Sequence, residues 1–422
     1  MEYDIKEFDE IRPYEPDEMK QAFEELLKDR QFQVVLKGFV PWLPKWARNG
    51  LLRLAFTGVK TPLDFQKRFM KPIVKWIIRK HTDGCTFDDT NLECRTESVE
   101  FATATDGSAD STAAARSALP LCSAKNSTLY TLNSKLEKRF TFVSNHRDIV
   151  LDSAFLDVML VDSGHPTTVE IGIGDNLLIY PWIKRLVRMN KAFTVRRGLT
   201  PHEMMRSSQL MSRYIHYAVT QKKENIWIAQ REGRAKDSDD RTQDSVLKML
   251  AMGGELKELN IVPLTISYEY DPCDYLKAQE FQQKRDNPKF KKSRQDDLDN
   301  MKTGIFGYKG RVHYHCAAPI NTWMEQLQGL PRKDFYATLA TRIDRELHAN
   351  YRLYPCNYIA LDELNGNSEY ADHYTAKDKK RFEQYLMGQL AKIQIPDKDE
   401  PFLRERMLTM YANPLRNHLA AL

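Results

Sequence analysis

The 422-residue chain lacks several patterns that would assign it at once to a common class of protein. Its six cysteines form no Cys-x-x-Cys pair, so a zinc ribbon is not expected. No stretch has the roughly 18 uncharged apolar residues that a membrane-spanning helix needs. The acidic start of the chain, residues 1–9, has no apolar run typical of a signal peptide. We therefore expect reduced thiols and a cytoplasmic location.

A strong excess of charge is also missing, because the net charge is only +5. Nucleic acid is therefore not an expected partner. His313, His315 and Cys316 resemble a metal tract, but alternation along an aromatic strand explains them better and no further ligands cluster nearby. We expect no metal. Nothing in the sequence points to a particular oligomeric state.

Two catalytic signatures are absent as well. There is no Gly-x-Ser-x-Gly elbow, which argues against an α/β-hydrolase. His146-Arg-Asp148 looks like part of a protein-kinase catalytic loop, but Ser153 stands where that loop needs asparagine. Neither a Gly-rich phosphate loop nor an Asp-Phe-Gly motif accompanies it, so the kinase interpretation fails.

The composition divides the chain into four regions. Residues 1–83 are predicted as an N-terminal helical region, and residues 84–128, rich in Asp, Glu, Ser, Thr and Ala, as a flexible insertion. Residues 129–330 are predicted as the catalytic domain, and residues 331–422 as a C-terminal helical extension. Together, 42% hydrophobic and 29% charged residues are typical of a globular chain with a real core.

Residues 31–80 combine three tryptophans with eleven Lys or Arg and one acid, Asp64. This composition is typical of helices that lie in a membrane interface, with tryptophan at the boundary and cations at anionic headgroups. The alternative is a basic helical hairpin packed on the core. The first interpretation predicts a protein held peripherally on the inner face of the membrane.

From residue 139 onward, strand-like apolar runs alternate with helical stretches. The runs are 140–143, 168–173, 192–195, 226–229, 261–267 and 310–317, and the helices between the first five are 150–162, 177–188, 202–222 and 242–252. Further helices are predicted at 16–29, 332–350 and 376–422. The alternation predicts an α/β fold with a mostly parallel central sheet and helices on both faces.

The first of these strands ends at Asn145-His146, where two carboxylates, Asp148 and Asp152, follow closely. An imidazole accepts a proton near neutral pH, and a carboxylate on its other nitrogen fixes the tautomer. We interpret His146 as a catalytic base. The alternative is a helix-capping aspartate beside a core histidine.

Charged groups follow two later strands. Arg196 and Arg197 come after 192–195, and the turn Glu232-Gly233-Arg234 comes after 226–229. Because the carboxyl ends of parallel strands meet at one edge of a sheet, these groups are expected to lie near His146. Paired arginines suit an anion such as phosphate, whereas a solvated strand end is the alternative.

In order and spacing, four pieces resemble the glycerolipid acyltransferase family, most closely its bacterial glycerol-3-phosphate and dihydroxyacetone-phosphate acyltransferases. The pieces are Asn145-His146, Lys191-Ala-Phe193-Thr-Val195-Arg196-Arg197, Glu232-Gly233-Arg234 and Val262-Pro263. The resemblance covers roughly residues 139–325. It implies an O-acyltransferase of phospholipid biosynthesis that uses no cofactor. An acyl thioester of coenzyme A or acyl carrier protein would be the donor, and glycerol 3-phosphate or a close relative the acceptor.

The resemblance also implies roles for individual residues. His146 would be the base, supported by Asp152 or Asp148, and the expected substrate-binding residues are Asn145, Phe193, Arg196, Arg197, Glu232, Gly233, Arg234 and Pro263. The family has four residues between its histidine and aspartate, whereas Asp152 follows His146 after five and Asp148 after one. We favour Asp152.

Several alternatives stay open at this level. The acceptor is glycerol 3-phosphate, lysophosphatidic acid or an amino-acid lipid. A catalytically silent lipid-binding protein with the same fold is a rival of another class. The basic segment 284–294 is either a solvated loop or a contact for an acidic carrier protein.

Overall fold

The computed structural model describes residues 3–92 and 138–422. Within them, seven strands form one sheet: β1 Cys85–Asp88, β2 Thr141–Ser144, β3 Val169–Gly174, β4 Ala192–Val195, β5 Asn225–Ala229, β6 Ile261–Tyr268 and β7 Val312–Cys316. Their order across the sheet is β1-β7-β6-β2-β5-β3-β4. Strands β2 to β6 run parallel, and β7 is antiparallel to β6 and parallel to β1. The predicted α/β fold with a mostly parallel sheet is confirmed.

The α-helices that the structure describes lie between and around these strands. They are α1 Met19–Lys28, α2 Arg30–Phe39, α3 Lys45–Phe56, α4 Pro62–Phe65, α5 Lys71–His81, α6 Leu151–Asp162, α7 Pro181–Met189, α8 Pro201–Thr220, α9 Asp244–Leu250, α10 Asp274–Asp286, α11 Arg294–Phe306, α12 Arg332–Ala349, α13 Pro355–Asn365, α14 Ala376–Leu390 and α15 Glu400–Ala421.

The sheet separates two apolar cores because successive side chains of a strand point to opposite faces. Val143 packs on one face with residues of α8, α9 and α12. Its neighbour Phe142 packs on the other face with residues of α5 and α6. Helices therefore cover both faces, as the alternation of strands and helices predicts.

The N-terminal region buries only part of its apolar side chains. Phe23, Phe56, Phe65 and Met189 form a core between α1, α3, α4 and α7. Other large apolar side chains of the region are exposed: Val34, Trp42, Trp46, Leu51, Leu54, Ile73 and Trp76. Within the described parts of the chain, no helix is both long and apolar enough to span a membrane.

The start of the predicted flexible insertion is ordered. Cys85–Asp88 forms β1, which pairs with β7 from Cys85↔Val312 to Asp88↔His315. The expectation that residue 84 begins a flexible segment is therefore wrong for these residues, because four residues give too little periodicity to reveal a strand. Positions 93–128 of the insertion lie outside the described residues.

The C-terminal helices do not form one uniform extension. α12 joins the core over the sheet through Leu339, Ile343 and Leu347. α13, α14 and α15 form a separate core that also takes in Tyr270 and Ala278. The sequence analysis did not predict α13, and residues 391–399 divide the predicted helix 376–422 into α14 and α15.

The connection from β6 to β7 positions part of the site. Because β6 and β7 are antiparallel neighbours, with Tyr268 opposite Val312, the connection starts and ends at the carboxyl edge of β6. Between these points lie α10 and α11. Cys273 Sγ, just before α10, lies 3.3 Å from the carbonyl oxygen of Asn300 in α11, and Lys292, in the loop between the two helices, contacts Glu280 of α10.

Candidate active site

His146 lies two residues beyond β2 and is paired with Asp152 in the first turn of α6. Its Nδ1 is 2.7 Å from Asp152 Oδ2, and the side chains are 14% and 1% exposed. No described residue forms a hydrogen bond with Nε2 of His146. A neighbouring carboxylate favours the tautomer with its proton on Nδ1, which leaves Nε2 as the proton acceptor.

The turn from His146 to α6 is organised around the same carboxylate oxygen. Besides His146, Asp152 Oδ2 accepts the backbone N–H groups of Arg147 at 2.6 Å and Asp148 at 3.1 Å. Tyr314, from β7, donates its hydroxyl proton to the backbone carbonyl of Asp152 at 2.9 Å. The carboxylate is therefore fixed by the backbone before any substrate binds.

Asp148 has a different position. Its Oδ1 accepts the N–H groups of Val150 at 2.9 Å and Leu151 at 2.8 Å, so it caps the start of α6. Burial, followed by the nearby Asp152 carboxylate, raises the pKa of Asp148. The structure thus places Asp152, not Asp148, against the ring of His146.

Asn145 and Trp227 hold this turn in place. Asn145 donates its amide to the carbonyl of Ile266 at 2.9 Å and accepts the N–H of Ile266 at 2.8 Å, which ties the end of β2 to β6. Trp227 of β5 contacts the His146 ring edge-on, with ring centroids 5.4 Å apart. Both amide atoms of Asn145 form hydrogen bonds within the fold, so the residue positions the turn; its predicted role in substrate binding stays a prediction.

A buried ion pair that was not predicted from the sequence lies next to the histidine. Arg147 Nη2 lies 2.7 Å from Asp240 Oδ2, and the two side chains are 6% and 1% exposed. Tyr351, between α12 and α13, donates its hydroxyl proton to the same Asp240 oxygen at 2.7 Å. Burial opposes the charge of Arg147, but Asp240 raises its pKa overall. The pair joins the histidine turn, the loop after β5 and the C-terminal helices. No pattern in the sequence pointed to Asp240.

The carboxyl ends of β3, β4 and β5 bring further predicted residues together. Arg197 Nη1 pairs with Glu232, and its backbone N–H donates to Asp175 at 3.1 Å. A Cβ on Gly174 would lie 3.3 Å from Arg197 Nε, so the glycine lets the guanidinium come close. Gly233 has a φ of +71°, a backbone conformation that glycine adopts without strain.

The other two predicted arginines have different surroundings. Arg196 turns toward the N-terminal segment and pairs with Glu10. Arg234 donates to Asn300 Oδ1 of α11 at 3.2 Å and is half-buried. The predicted arginine pair is therefore divided, because successive residues after a strand point in different directions. Arg197 and Arg234 stay at the carboxyl edge of the sheet, after β4 and β5 respectively.

Two predicted substrate-binding residues belong to the core instead. Phe193 is fully buried against Tyr214 of α8, with ring centroids 5.5 Å apart. Pro263 is the third residue of β6, opposite Val143 of β2. It precedes the β6–β7 ladder, which begins at Leu264, so its missing N–H does not interrupt that ladder. Both residues are buried, and their predicted role in substrate binding stays a prediction.

The arrangement as a whole can perform proton transfer at an exposed edge. It supplies an imidazole with a buried carboxylate behind it, and cations from the neighbouring loops. Among residues 3–92 and 138–422, no group of three or more His, Cys, Asp or Glu side chains is placed to hold a metal ion. These features are typical of an enzyme that activates a hydroxyl group by general base catalysis.

Comparison with known protein families gives the class a name. Residues 126–267 match the model of the family described as Acyltransferase. The match runs through β2 to nearly the end of β6 and contains His146, Asp152, Arg197 and Glu232. It supports an acyltransferase domain in this chain, with an acyl donor and an acceptor as its two substrates. A comparison with curated proteins gave no match.

Proposed function

We propose that the protein is an O-acyltransferase of phospholipid biosynthesis that moves a fatty acyl group from a thioester donor to a hydroxyl of glycerol 3-phosphate or a closely related glycerol phosphate. The single observation that carries the proposal is the pair His146–Asp152 at 2.7 Å, at the carboxyl edge of the sheet, with no described residue hydrogen-bonded to the opposite ring nitrogen. The family match over residues 126–267 supports the acyl-transfer class.

In the proposed mechanism, His146 Nε2 takes the proton of the acceptor hydroxyl as the hydroxyl oxygen attacks the thioester carbonyl. Asp152 stabilises the imidazolium that forms. The tetrahedral intermediate then collapses, the carbon–sulfur bond breaks, and the imidazolium returns its proton to the leaving thiolate. No acyl-enzyme is required, so no nucleophilic serine or cysteine takes part.

Arg197 and Arg234 are the proposed partners of the acceptor phosphate. Arg197 is 35% exposed and its partner Glu232 is 71% exposed, so the ion pair is open to exchange with an incoming phosphate. A guanidinium binds phosphate in a bidentate manner, which also orients the acceptor. Arg196 is less suited, because its guanidinium is directed toward Glu10.

The test of the function is product analysis with purified protein. Acyl-coenzyme A and acyl carrier protein thioesters are offered with glycerol 3-phosphate, lysophosphatidic acid or an amino-acid lipid, and products are identified by mass spectrometry. We expect acylated glycerol phosphate, and a loss of about 10²–10⁴-fold in kcat for His146→Ala. His202→Ala, at an exposed position of α8, is the matched control. Wild-type turnover in His146→Ala would refute the mechanism, and absence of any product would favour a silent lipid-binding protein.

We also propose that α2 and α3 hold the protein on an anionic membrane surface. Trp42 and Trp46 are 75% and 78% exposed, and Leu54 is 71% exposed, although all three are apolar or aromatic. The predicted anchor segment 31–80 also contains cations without an ion-pair partner among the described residues: Lys37, Lys45, Lys60, Lys67, Arg79 and Lys80. Exposed tryptophan beside unpaired cations is complementary to anionic headgroups over an apolar layer.

The membrane proposal has its own measurement. Trp42→Ser combined with Trp46→Ser should reduce sedimentation with anionic vesicles several-fold, because the change removes two exposed anchors without touching the core. Trp182→Ser is not an equivalent control, since that ring packs on Phe32. Met387→Ser, on an exposed apolar side chain of α14, is the better one. Unchanged sedimentation of the double variant would contradict the proposal.

A further inference from the structure

Three lysines converge on one buried carboxylate in the connection between β6 and β7. Glu280 of α10 is 4% exposed. Lys236 forms a hydrogen bond with its Oε1, Lys284 lies 2.9 Å from the same atom, and Lys292 lies 2.8 Å from Oε2. We call Lys236, Lys284, Lys292 and Glu280 the lysine cluster. It carries three positive charges and one negative charge.

This charge balance is more than a structural ion pair requires. Burial, together with repulsion from Lys292 and Lys284, lowers the pKa of Lys236 to about 8. Burial alone would raise the pKa of Glu280, but the three lysines outweigh it and lower that pKa to about 2. Two ammonium charges therefore stay unneutralised in a partly desolvated place, which attracts an anion.

The cluster is placed beside the candidate active site. Lys236 lies in the loop after β5, only two residues beyond Arg234, and Glu280 lies on the helix that follows β6. β2, which carries His146 at its end, lies between β5 and β6 in the sheet. The cluster therefore joins the two segments that flank the histidine turn, although neither segment is part of that turn.

The rise along α10 gives the distance of the cluster from the start of that helix. At about 1.5 Å per helical residue, Glu280 and Lys284 lie roughly 9 and 15 Å beyond the start of α10 at Asp274. Three consecutive bonds of an extended chain span about 3.5 Å. In glycerol 3-phosphate, about four bonds separate a hydroxyl oxygen from phosphorus, which corresponds to roughly 5 Å. In a phosphopantetheine thioester, about 13 bonds separate the sulfur from the phosphorus, roughly 15 Å on the same scale.

We propose that Lys236, Lys284 and Lys292 bind the phosphate of the phosphopantetheine arm of the acyl donor. The proposal rests on the thioester donor of the proposed function. The donor phosphate lies about three times as far from its reacting group as the acceptor phosphate does, roughly 15 Å against 5 Å, so it reaches farther along α10. Coenzyme A and acyl carrier protein both present this phosphate. Glu280 holds the three ammonium groups in one place, and the donor phosphate supplies the missing negative charge.

The test compares donors with and without the phosphate. Rates are measured for acyl-phosphopantetheine and acyl-pantetheine with the wild type, with Lys284→Gln/Lys292→Gln, and with the control Lys289→Gln/Lys291→Gln. The control lysines are exposed, lie in the loop between α10 and α11 that also contains Lys292, and do not contact Glu280. We expect the wild type and the control to prefer the phosphorylated donor by about 10-fold or more in kcat/KM, and the cluster variant to lose that preference, since a charge-assisted contact is worth about that factor.

Further measurements distinguish a failure of the proposed phosphate site from a failure of the proposed acyltransferase function. Acyl-coenzyme A and acyl carrier protein serve as further donors, and a loss confined to one of them identifies the carrier that uses the site. Calorimetry with phosphopantetheine alone reports binding even in a protein that transfers no acyl group. There we expect binding about 10-fold weaker in the cluster variant than in the wild type. Equal donor preference in all three proteins, or equal losses in the cluster and control variants, would overturn the proposal.

Discussion

Replacement of Asp152 by asparagine is the most informative single change in the candidate site. Asp152 Oδ2 accepts three hydrogen bonds, from His146 Nδ1 and from the backbone N–H groups of Arg147 and Asp148. An asparagine carbonyl oxygen in the same place can accept all three. The change therefore removes the negative charge behind the imidazole with little change in shape.

The size of the effect follows from that charge. A unit charge 2.7 Å from the imidazole interacts with the imidazolium by about 6 kcal/mol at an effective dielectric constant of about 20. The asparagine dipole and water at the 14% exposed ring restore part of it. We therefore expect kcat to fall about 10²–10⁴-fold, which corresponds to about 3–5 kcal/mol at ~1.4 kcal/mol per factor of ten.

Asp148→Asn is the matched control, because it alters a carboxylate four residues away that caps α6 and does not contact the ring. Since burial raises the pKa of Asp148, a neutral side chain suits its surroundings. We expect kcat within a few-fold of the wild type. Steady-state rates of product formation, with melting temperatures of both variants, provide the comparison. Equal losses in the two variants, or a larger loss in Asp148→Asn, would refute the assignment of one supporting carboxylate.

Three further changes test how the fold supports the site. Gly304→Ala would place a Cβ 2.2 Å from the carboxylate of Asp148, which caps α6. We expect lower activity and a free energy of unfolding in urea that is lower by about 1–3 kcal/mol. In the control Gly388→Ala the new Cβ has open space, and the free energy of unfolding should rise by up to about 1 kcal/mol. Burial raises the pKa of Asp157 to about 7. The protonated carboxyl therefore contributes fully to the free energy of unfolding below about pH 4, and this contribution is lost as the pH rises through 7. In Asp157→Asn the free energy of unfolding should change less over this pH range, by up to roughly 4 kcal/mol. Arg147→Met should cost about 3–5 kcal/mol because it leaves Asp240 buried without its cation, and adding Asp240→Asn should recover part of that loss; a cost under 1 kcal/mol would contradict the importance of the pair.

The sheet was predictable because its strands are buried and bounded by helices of clear periodicity. The predicted run 192–195 coincides with β4, and 140–143 differs from β2 by one residue at each end. A buried strand reads as a short apolar run between polar turns, which a sequence shows directly. Strand β1 was not predictable in this way, because half-buried Cys85 and Phe87 alternate over only four residues.

The site was predictable only as far as strand order fixes it. Groups that follow parallel strands reach the same edge, so His146, Arg196, Arg197 and Glu232 were expected there. Which way each side chain turns depends on partners far away in the chain. Arg196 turns to Glu10, and Arg147 to Asp240. Such partners leave no periodic signal, and neither does the burial that places Phe193 in the core.

The spacing between His146 and Asp152 shows how one extra residue is accommodated. Five residues separate them, one more than in the family that the motif resembles. The turn at 149–150 precedes α6, and Asp148 caps that helix by accepting the N–H groups of Val150 and Leu151. The cap fixes where α6 begins, and the first turn of α6 places Asp152 Oδ2 within 2.7 Å of His146 Nδ1. The two carboxylates therefore have different roles: Asp148 caps the start of α6, and Asp152, in the first turn of that helix, forms the hydrogen bond with His146.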